Sequence, residues 1–337
     1  LRNARGLLRV AVRFTLTLLL VTFLVGTGVK AGLREMAKND ILKHPEVYKN
    51  APKLGMTPEE YYMKYIAPKK YPELTKPSVV VGFNALVSSV KPPQDKIWRK
   101  LELYQFRIPR KEALLRTLIL LFISEIILVP LSLMVAFWAL KSPRVAGLLN
   151  NLTKVVLGIP AWWPGVVFIL LIIYSPLPND LVISPGPGAG LLDVLESMVF
   201  PVLTVVLTSF WYLAVEFYFL LSREVLNPYV SYKRAMGLPE NRILMSALRA
   251  ISVPALSIWF SHLIEVEGIV IVVDHLFKLG GLGQMIGSSF SGSMAETFYF
   301  VPSLFAFPLL VFIVLNLLIA MAVEFLKTRL DPRGITA

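Results

Sequence analysis

The chain has 337 residues, 55% of them hydrophobic and 17% charged, and a mean hydropathy of +0.65, which is too apolar for a water-soluble domain and fits a protein with several membrane spans. It contains no cysteine, which excludes a disulfide frame, thiolate metal sites and a cysteine nucleophile. The formal charge of +12 would suit an acidic partner only if it were clustered on one soluble face, so its placement decides its meaning.

Arg2, Arg5, Arg9 and Arg13 precede an apolar run over 14–29, and no small-residue cleavage site at the usual spacing clearly follows. The pattern predicts a cytosolic N-terminus and a retained first span within 1–29. From 30 to 111 the chain is polar and rich in Lys, Tyr and Pro, the only stretch with the composition of a soluble domain. Within it, Thr57 and Glu60 have the spacing of a capping box with Pro58 at the first helical position, predicting a helix through about Ile66. Five more apolar segments follow, at 113–140, 152–174, 194–221, 255–277 and 298–326. Each exceeds the roughly 20 residues needed to cross the hydrocarbon core, and membrane helices tolerate interruptions such as Pro130, Pro164, Pro201 and Pro308. The expectation is an all-α polytopic membrane protein of six helices, with an extracellular domain (30–111) between the first two, a five-helix core over 112–326 and a tail over 327–337.

Lys and Arg set the orientation. Four lie before the first span, three between Lys141 and Lys154, five between Arg223 and Arg249 and three from Lys327 onward, against Lys278 alone in the opposing short loops 175–193 and 278–297. The 30–111 stretch carries seventeen, but segments longer than roughly 60 residues translocate largely regardless of charge. The bias predicts a cytosolic N-terminus, a cytosolic loop over 222–253 and a cytosolic tail. Most of the +12 is therefore topology, and nucleic acid is not expected as a partner.

Within that loop, 227–254 is too charged for lipid. Pro228 opens a helix expected over 229–236, Gly237 stops it, and a second helix is expected over 240–250 before Pro254. The order Tyr229-Val230, Arg234-Ala235, Gly237-Leu238, Ala247-Leu248-Arg249 and Pro254 resembles the cytosolic "EAA" loop of permease subunits of ATP-binding cassette importers, in particular the dipeptide/oligopeptide branch. Ser231, Tyr232 and Lys233 stand where that loop carries small residues, and the spacing from Gly237 to Ala247 is about one residue short. The resemblance recurs in Ile159-Pro160-Ala161-Trp162-Trp163-Pro164-Gly165, in Asp274-His275-Leu276-Phe277 followed by Gly281-Leu282-Gly283, and in Asp331-Pro332-Arg333. It covers the chain from about Pro109 to its end.

This resemblance implies the type I importer permease fold. It also implies a second homologous permease subunit, cytosolic ATP-binding cassette subunits that carry ATP and Mg, an extracellular substrate-binding protein and surrounding membrane lipid. Peptides or oligosaccharides are the implied substrates, moved by alternating access, with Tyr229, Val230, Arg234, Ala235, Gly237, Leu238, Ala247, Leu248 and Arg249 coupling the pathway to the ATPase. No phosphate-binding loop of the form Gly-x-x-x-x-Gly-Lys-Ser/Thr occurs in the chain, so no enzyme activity and no cofactor are expected of this subunit itself.

Charge inside the spans is the remaining signal: Glu125, Glu216, Glu265, Glu267, Asp274 and His262. A carboxylate at mid-bilayer costs about 2.5–3.5 kcal/mol on insertion scales, so such groups face a cavity, a partner helix or each other. In the fifth span, helical spacing places Ser261, Glu265 and Gly268 on one face, with His262 three residues from Glu265; Glu267 and Asp274 share another. His262, Glu265, Glu267 and Asp274 are thus candidates for the translocation pathway or a helix interface, the alternative being hydrogen bonds between helices. Two other functions compete: a proton-coupled secondary transporter using the intramembrane Glu and Asp, and a membrane-embedded hydrolase with His262 and Glu265 as a base pair.

Overall fold

The structure is a computed structural model, described for residues 2–174, 185–293 and 296–330. In chain order the helices of the first third are α1 (Arg2–Asp40), α2 (Pro45–Asn50), α3 (Pro58–Tyr65), α4 (Ala67–Lys70), α5 (Ser78–Ser88) and α6 (Lys96–Gln105). Next come α7 (Arg110–Lys141), α8 (Pro143–Leu157), α9 (Trp163–Ile173), α10 (Leu191–Ser197) and α11 (Val199–Val225). The chain finishes with α12 (Pro228–Ala235), α13 (Glu240–Ala250), α14 (Ser252–Phe277), α15 (Leu282–Ser288), strands β1 (Phe290–Ser293) and β2 (Glu296–Phe300), and α16 (Pro302–Leu330). These elements fall into two compact units, a core unit of residues 1–10, 110–284 and 316–337 and an N-terminal unit of 11–109 and 285–315.

In the N-terminal unit, α1 runs some ten residues past the expected end of the first span. Two glycines bring α1 and α5 together: a Cβ on Gly26 would lie 1.7 Å from the Ser78 carbonyl oxygen, and one on Gly82 1.8 Å from that of Thr22. Only small residues permit such backbone approach between apolar helices. The capping box at α3 forms as expected, Thr57 Oγ1 accepting from the Glu60 amide and Glu60 Oε2 accepting from the Thr57 amide at 2.9 Å. The apolar core gathers Val25, Val29 and Leu33 of α1 with Val47, Tyr62, Val81 and Leu86. Burial pushes the Tyr62 phenol up to about 12. At the end of α1, Asp40 accepts from Lys70 Nζ and from the Tyr71 hydroxyl, both at 2.6 Å. Strands β1 and β2 pair antiparallel with Phe290 opposite Phe300, so the fold departs from the purely helical expectation at the point where the last span was expected to begin. The β-branched and aromatic residues of the second strand favour extended backbone, and α16 starts only at Pro302.

In the core unit, α11 lies along α7, their facing sides burying Leu120, Leu128 and Ala136 against Val205, Leu213 and Leu221. Ser132 Oγ donates to the Phe210 carbonyl across this contact. Among the described residues five helices, α1, α7, α11, α14 and α16, are long and apolar enough to cross a membrane. The segment 152–174 is divided between α8 and α9. Gly158 and Pro160 interrupt it, and the 11 residues of α9 span about 16 Å, well short of the hydrocarbon core. The expected fourth span is likewise split, α10 ending at Ser197 and α11 carrying the long apolar run. The Asp331-Pro332-Arg333 motif and residues 175–184 of the loop 175–193 lie outside the described residues.

Candidate functional site

Between α11 and α14, the core unit carries a helical hairpin. Pro228 stands in the first turn of α12, where its missing N–H leaves no helical bond unmade. The end of α12 is a Schellman turn: Gly237 takes φ +76, its amide donates to the Arg234 carbonyl at 2.9 Å, and the Leu238 amide donates to the Lys233 carbonyl at 3.3 Å. The second helix covers the expected 240–250.

Side chains hold the hairpin shut. The Arg234 guanidinium forks onto Glu240, Nη2 to Oε1 at 2.7 Å and Nε to Oε2 at 3.3 Å. Lys233 Nζ donates to Ser246 Oγ and lies 5.1 Å from the centre of the Tyr229 ring. The Tyr229 hydroxyl donates to Glu224 at 2.7 Å, tying α12 back to the end of α11. Val230, Ile243 and Ala247 are fully buried beneath the hairpin. Ala235, Gly237 and Arg249 are exposed, and Leu238 and Leu248 are half-buried. The hairpin thus has a fastened inner side and an outer tip on which Tyr232 and Met236 are 67% and 62% exposed. Apolar side chains left open on a rigid tip have the chemistry of a docking surface.

The fifth-span candidates separate by environment. Glu265 is exposed together with Ser261 and Gly268, the face that helical spacing groups. His262 points inward, 1% exposed, with Nδ1 3.6 Å from Glu265 Oε2 and its ring centred 5.8 Å from that of Tyr212. Glu267 is buried and accepts from Asn316 Nδ2 of α16. Asp274, 1% exposed, accepts backbone amides from Gly281 at 3.0 Å, Gly283 at 2.6 Å and Gln284 at 3.0 Å. Its carboxylate is committed to the turn that follows α14. Among the described residues no three His, Asp or Glu side chains come together as a metal cage requires.

Arg116, which lies in none of the motifs, holds the same turn from the other side. Its Nη1 donates to the carbonyls of Pro185 and Leu279 at 2.8 and 2.7 Å, and its Nη2 to the Gly186 carbonyl at 2.6 Å and to Glu112 at 2.5 Å. Thr117 Oγ1 accepts from the Leu282 amide at 2.8 Å. The glycines are required by this packing. A Cβ on Gly281 would lie 2.5 Å from Thr117 Oγ1, and one on Gly283 2.1 Å from the Ile271 carbonyl oxygen. One signal was available in the sequence: among the apolar segments only Arg116 and Lys154 are basic, and a buried guanidinium must find several acceptors. Glu125, isolated in sequence, also has a partner, accepting from the indole N–H of Trp259 at 2.9 Å.

A comparison with curated proteins found no match. Residues 128–333, more than half of the chain, match the family of binding-protein-dependent transport system inner membrane components, a stretch that contains the hairpin, all of α14 and the turn beyond it. The chain belongs to that family, as a multi-pass permease subunit of an ATP-binding cassette importer.

Proposed function

We propose that this subunit is one half of a heterodimeric pathway for peptides or oligosaccharides, driven by cytosolic ATPases that grip the 227–254 hairpin. The observation that carries the reading is the hairpin's construction. It is rigid within itself, through the Schellman turn and the Arg234–Glu240 fork, yet it leaves Tyr232 and Met236 uncovered at its tip. A lever must be stiff inside and adhesive outside. Closure of an ATPase pair on ATP would move the tip, and α14, which follows α13 directly, would pass that motion to the spans. In this reading both termini are cytosolic, residues 30–111 lie outside the cell toward the binding protein, and the segment containing α8 and α9 provides the sixth crossing. Glu265, on the open face of α14, is the fifth-span acid best placed for a second permease or the pathway.

The test is purification with native partners and identification of every copurifying subunit, repeated with Gly237→Pro and Arg234→Glu. Proline cannot take φ +76 and removes the amide that closes the Schellman turn. A second permease and ATPases should copurify with the unaltered chain, and the ATPases should be lost or uncoupled in both variants. A chain that purifies alone, and whose loop variants transport normally, overturns the reading. Transport that survives loss of the ATPases but collapses with an uncoupler would instead favour proton coupling through the buried acids.

A further inference from the structure

Between Lys76 and Lys91 the chain carries no charged residue, and α5 lies within this stretch. An uncharged run of that length is too short to cross a bilayer; it suits a buried core helix or a segment that dips into one leaflet. Exposure decides between them. Val81, Gly82 and Leu86 are buried, but Val79, Val80, Phe83, Val87 and Val90, on the opposite side, are 40–58% exposed. Their depth is set by α1. Gly82 abuts the α1 backbone at Thr22, and Gly26 of α1 abuts the α5 backbone at Ser78. Gly26 and Thr22 stand three and seven residues before Val29, where the apolar run of α1 ends, so this contact lies about 5–10 Å inside the hydrocarbon. At that depth the exposed stripe of α5 meets acyl chains.

The next helix, α6, stands at the rim. Its one acid, Glu102, is buried and accepts from Ser303 Oγ at 2.6 Å, in the first turn of α16. Ser303 precedes Lys327, in the last turn of α16, by about 36 Å at 1.5 Å per residue, which places it at the membrane boundary opposite the tail. On the open side of α6, Ile97 and Tyr104 are 71% and 76% exposed, seven residues apart on one line with the exposed Lys100 between them. Lys96 and Arg99 are exposed beside them, and Arg107 just beyond the helix. Asp95 is spent on the cap, accepting from the amides of Ile97 and Trp98. The open side is therefore basic and interleaved with apolar residues, the make-up of a helix lying among lipid headgroups.

We infer that 77–107 is embedded in the leaflet opposite the tail, α5 among the acyl chains and α6 among the headgroups, where it holds an anionic phospholipid. The phosphate takes the exposed bases of α6, and Ile97 and Tyr104 enter the boundary beside it. The acidic face of a protein partner would match the bases but would leave the stripe of α5 without acyl chains at its depth. Embedding does not depend on which way the chain is inserted; with the orientation proposed above, the leaflet is the outer one.

The experiment photolabels the whole transporter in nanodiscs with a lipid carrying a diazirine on one acyl chain, either phosphatidylglycerol or phosphatidylcholine at the same fraction. Adducts are located by mass spectrometry. Both probes should label the Val79, Phe83 and Val87 face. The anionic probe should exceed the other there by about fivefold or more, the equivalent of one lipid-facing base. That advantage should fade at high salt and disappear when Lys96→Gln, Arg99→Gln and Lys100→Gln are combined. Leu318 of α16, 59% exposed, is the internal control for lipid contact. An α5 free of adducts while Leu318 is labelled overturns the embedding and gives that face to a protein partner. Equal labelling by the two probes, or a preference that survives the triple substitution, overturns the anionic site. Nanodiscs offer both leaflets and the readout is not transport, so failure here leaves the coupling reading of the hairpin standing.

Discussion

Two helices, one ahead of α14 and α14 itself, end in the same device put to opposite uses. Ahead of it α12 ends in a Schellman turn at Gly237, and α14 itself ends in one at Lys278, whose φ of +51 is the single positive value at a non-glycine among the described residues. Around the Lys278 turn the named polar groups are spent inward: Asp274 on three amides, Arg116 on three carbonyls and Glu112, Thr117 on a fourth amide. Beyond Gly237 the polar groups pair across the hairpin surface and the large apolar side chains Tyr232 and Met236 stay open. The contrast separates residues that hold the subunit together from those free to meet something else. Charge alone does not make that distinction, since the buried end is as charged as the exposed one.

The sharpest way to break the contrast is to empty the buried end. Asp274→Ala strands three buried amides and removes the carboxylate that shares the turn with the Arg116 guanidinium. Loss of one partner from such a buried charged network costs on the order of 3–5 kcal/mol. Thermal unfolding of the purified chain in detergent should show a drop larger than any caused by altering Gly237 or by losing the Arg234–Glu240 fork. Asp274→Asn should be intermediate, because its amide oxygen still accepts. If Asp274→Ala leaves the melting temperature unchanged while abolishing transport, Asp274 belongs to the pathway and not to the turn.

This division also marks how far the sequence could be read. Local rules located what local physics decides. The capping box at Thr57 and the helix–Gly–helix of the hairpin depend on neighbours within four or five residues, and both are found where spacing places them. Long apolar runs likewise announce α7, α11, α14 and α16. Harder were the features set by distant partners. Asp274 reads as a candidate for the pathway or a helix interface because an acid in a span is costly, and nothing in its spacing reveals that the backbone 7–10 residues ahead folds back to bond it. Arg116 belongs to no motif because its carbonyl acceptors lie 69, 70 and 163 residues away. The division of α8 from α9 at Gly158 and Pro160 is hidden by the apolar character of the segment as a whole, since hydropathy averages over a break that two backbone specialists create.

A finer test exchanges the residues at the two turns. Lys278 holds a left-handed conformation that costs a side-chain-bearing residue about 1–2 kcal/mol. Lys278→Gly should relieve most of that, less the added freedom of the unfolded chain, and raise stability by up to about 1 kcal/mol. Gly237→Ala should do the reverse, by about 1–2 kcal/mol, and for backbone reasons only, because nothing lies within 4 Å of the added Cβ. Both are read from the same thermal unfolding curves. A destabilising Lys278→Gly would mean that the lysine side chain itself contributes to the buried end.

The smallest effect lies in the surface fork. The hydrogen bond from Arg234 holds the Glu240 carboxyl below the usual glutamate value, outweighing partial burial, and Glu240 in turn raises the already high value of Arg234. A depressed carboxyl stabilises the folded form fully above its unfolded pKa of about 4.3 and loses that contribution as pH falls through the lower folded value. Arg234 stays charged throughout, so the fork opens on the acid side only. Both side chains are nearly half exposed and screened by solvent, which keeps the effect local. Amide exchange in the first turn of α13, taken as a ratio to Arg234→Gln to cancel the intrinsic pH dependence, should show protection at neutral pH that fades as the pH falls through the lowered value of the folded Glu240 carboxyl. A ratio that stays constant would mean that the Schellman turn and the buried Val230, Ile243 and Ala247 hold the hairpin without the fork, and the stiffness of the lever would then reside in its backbone and apolar underside.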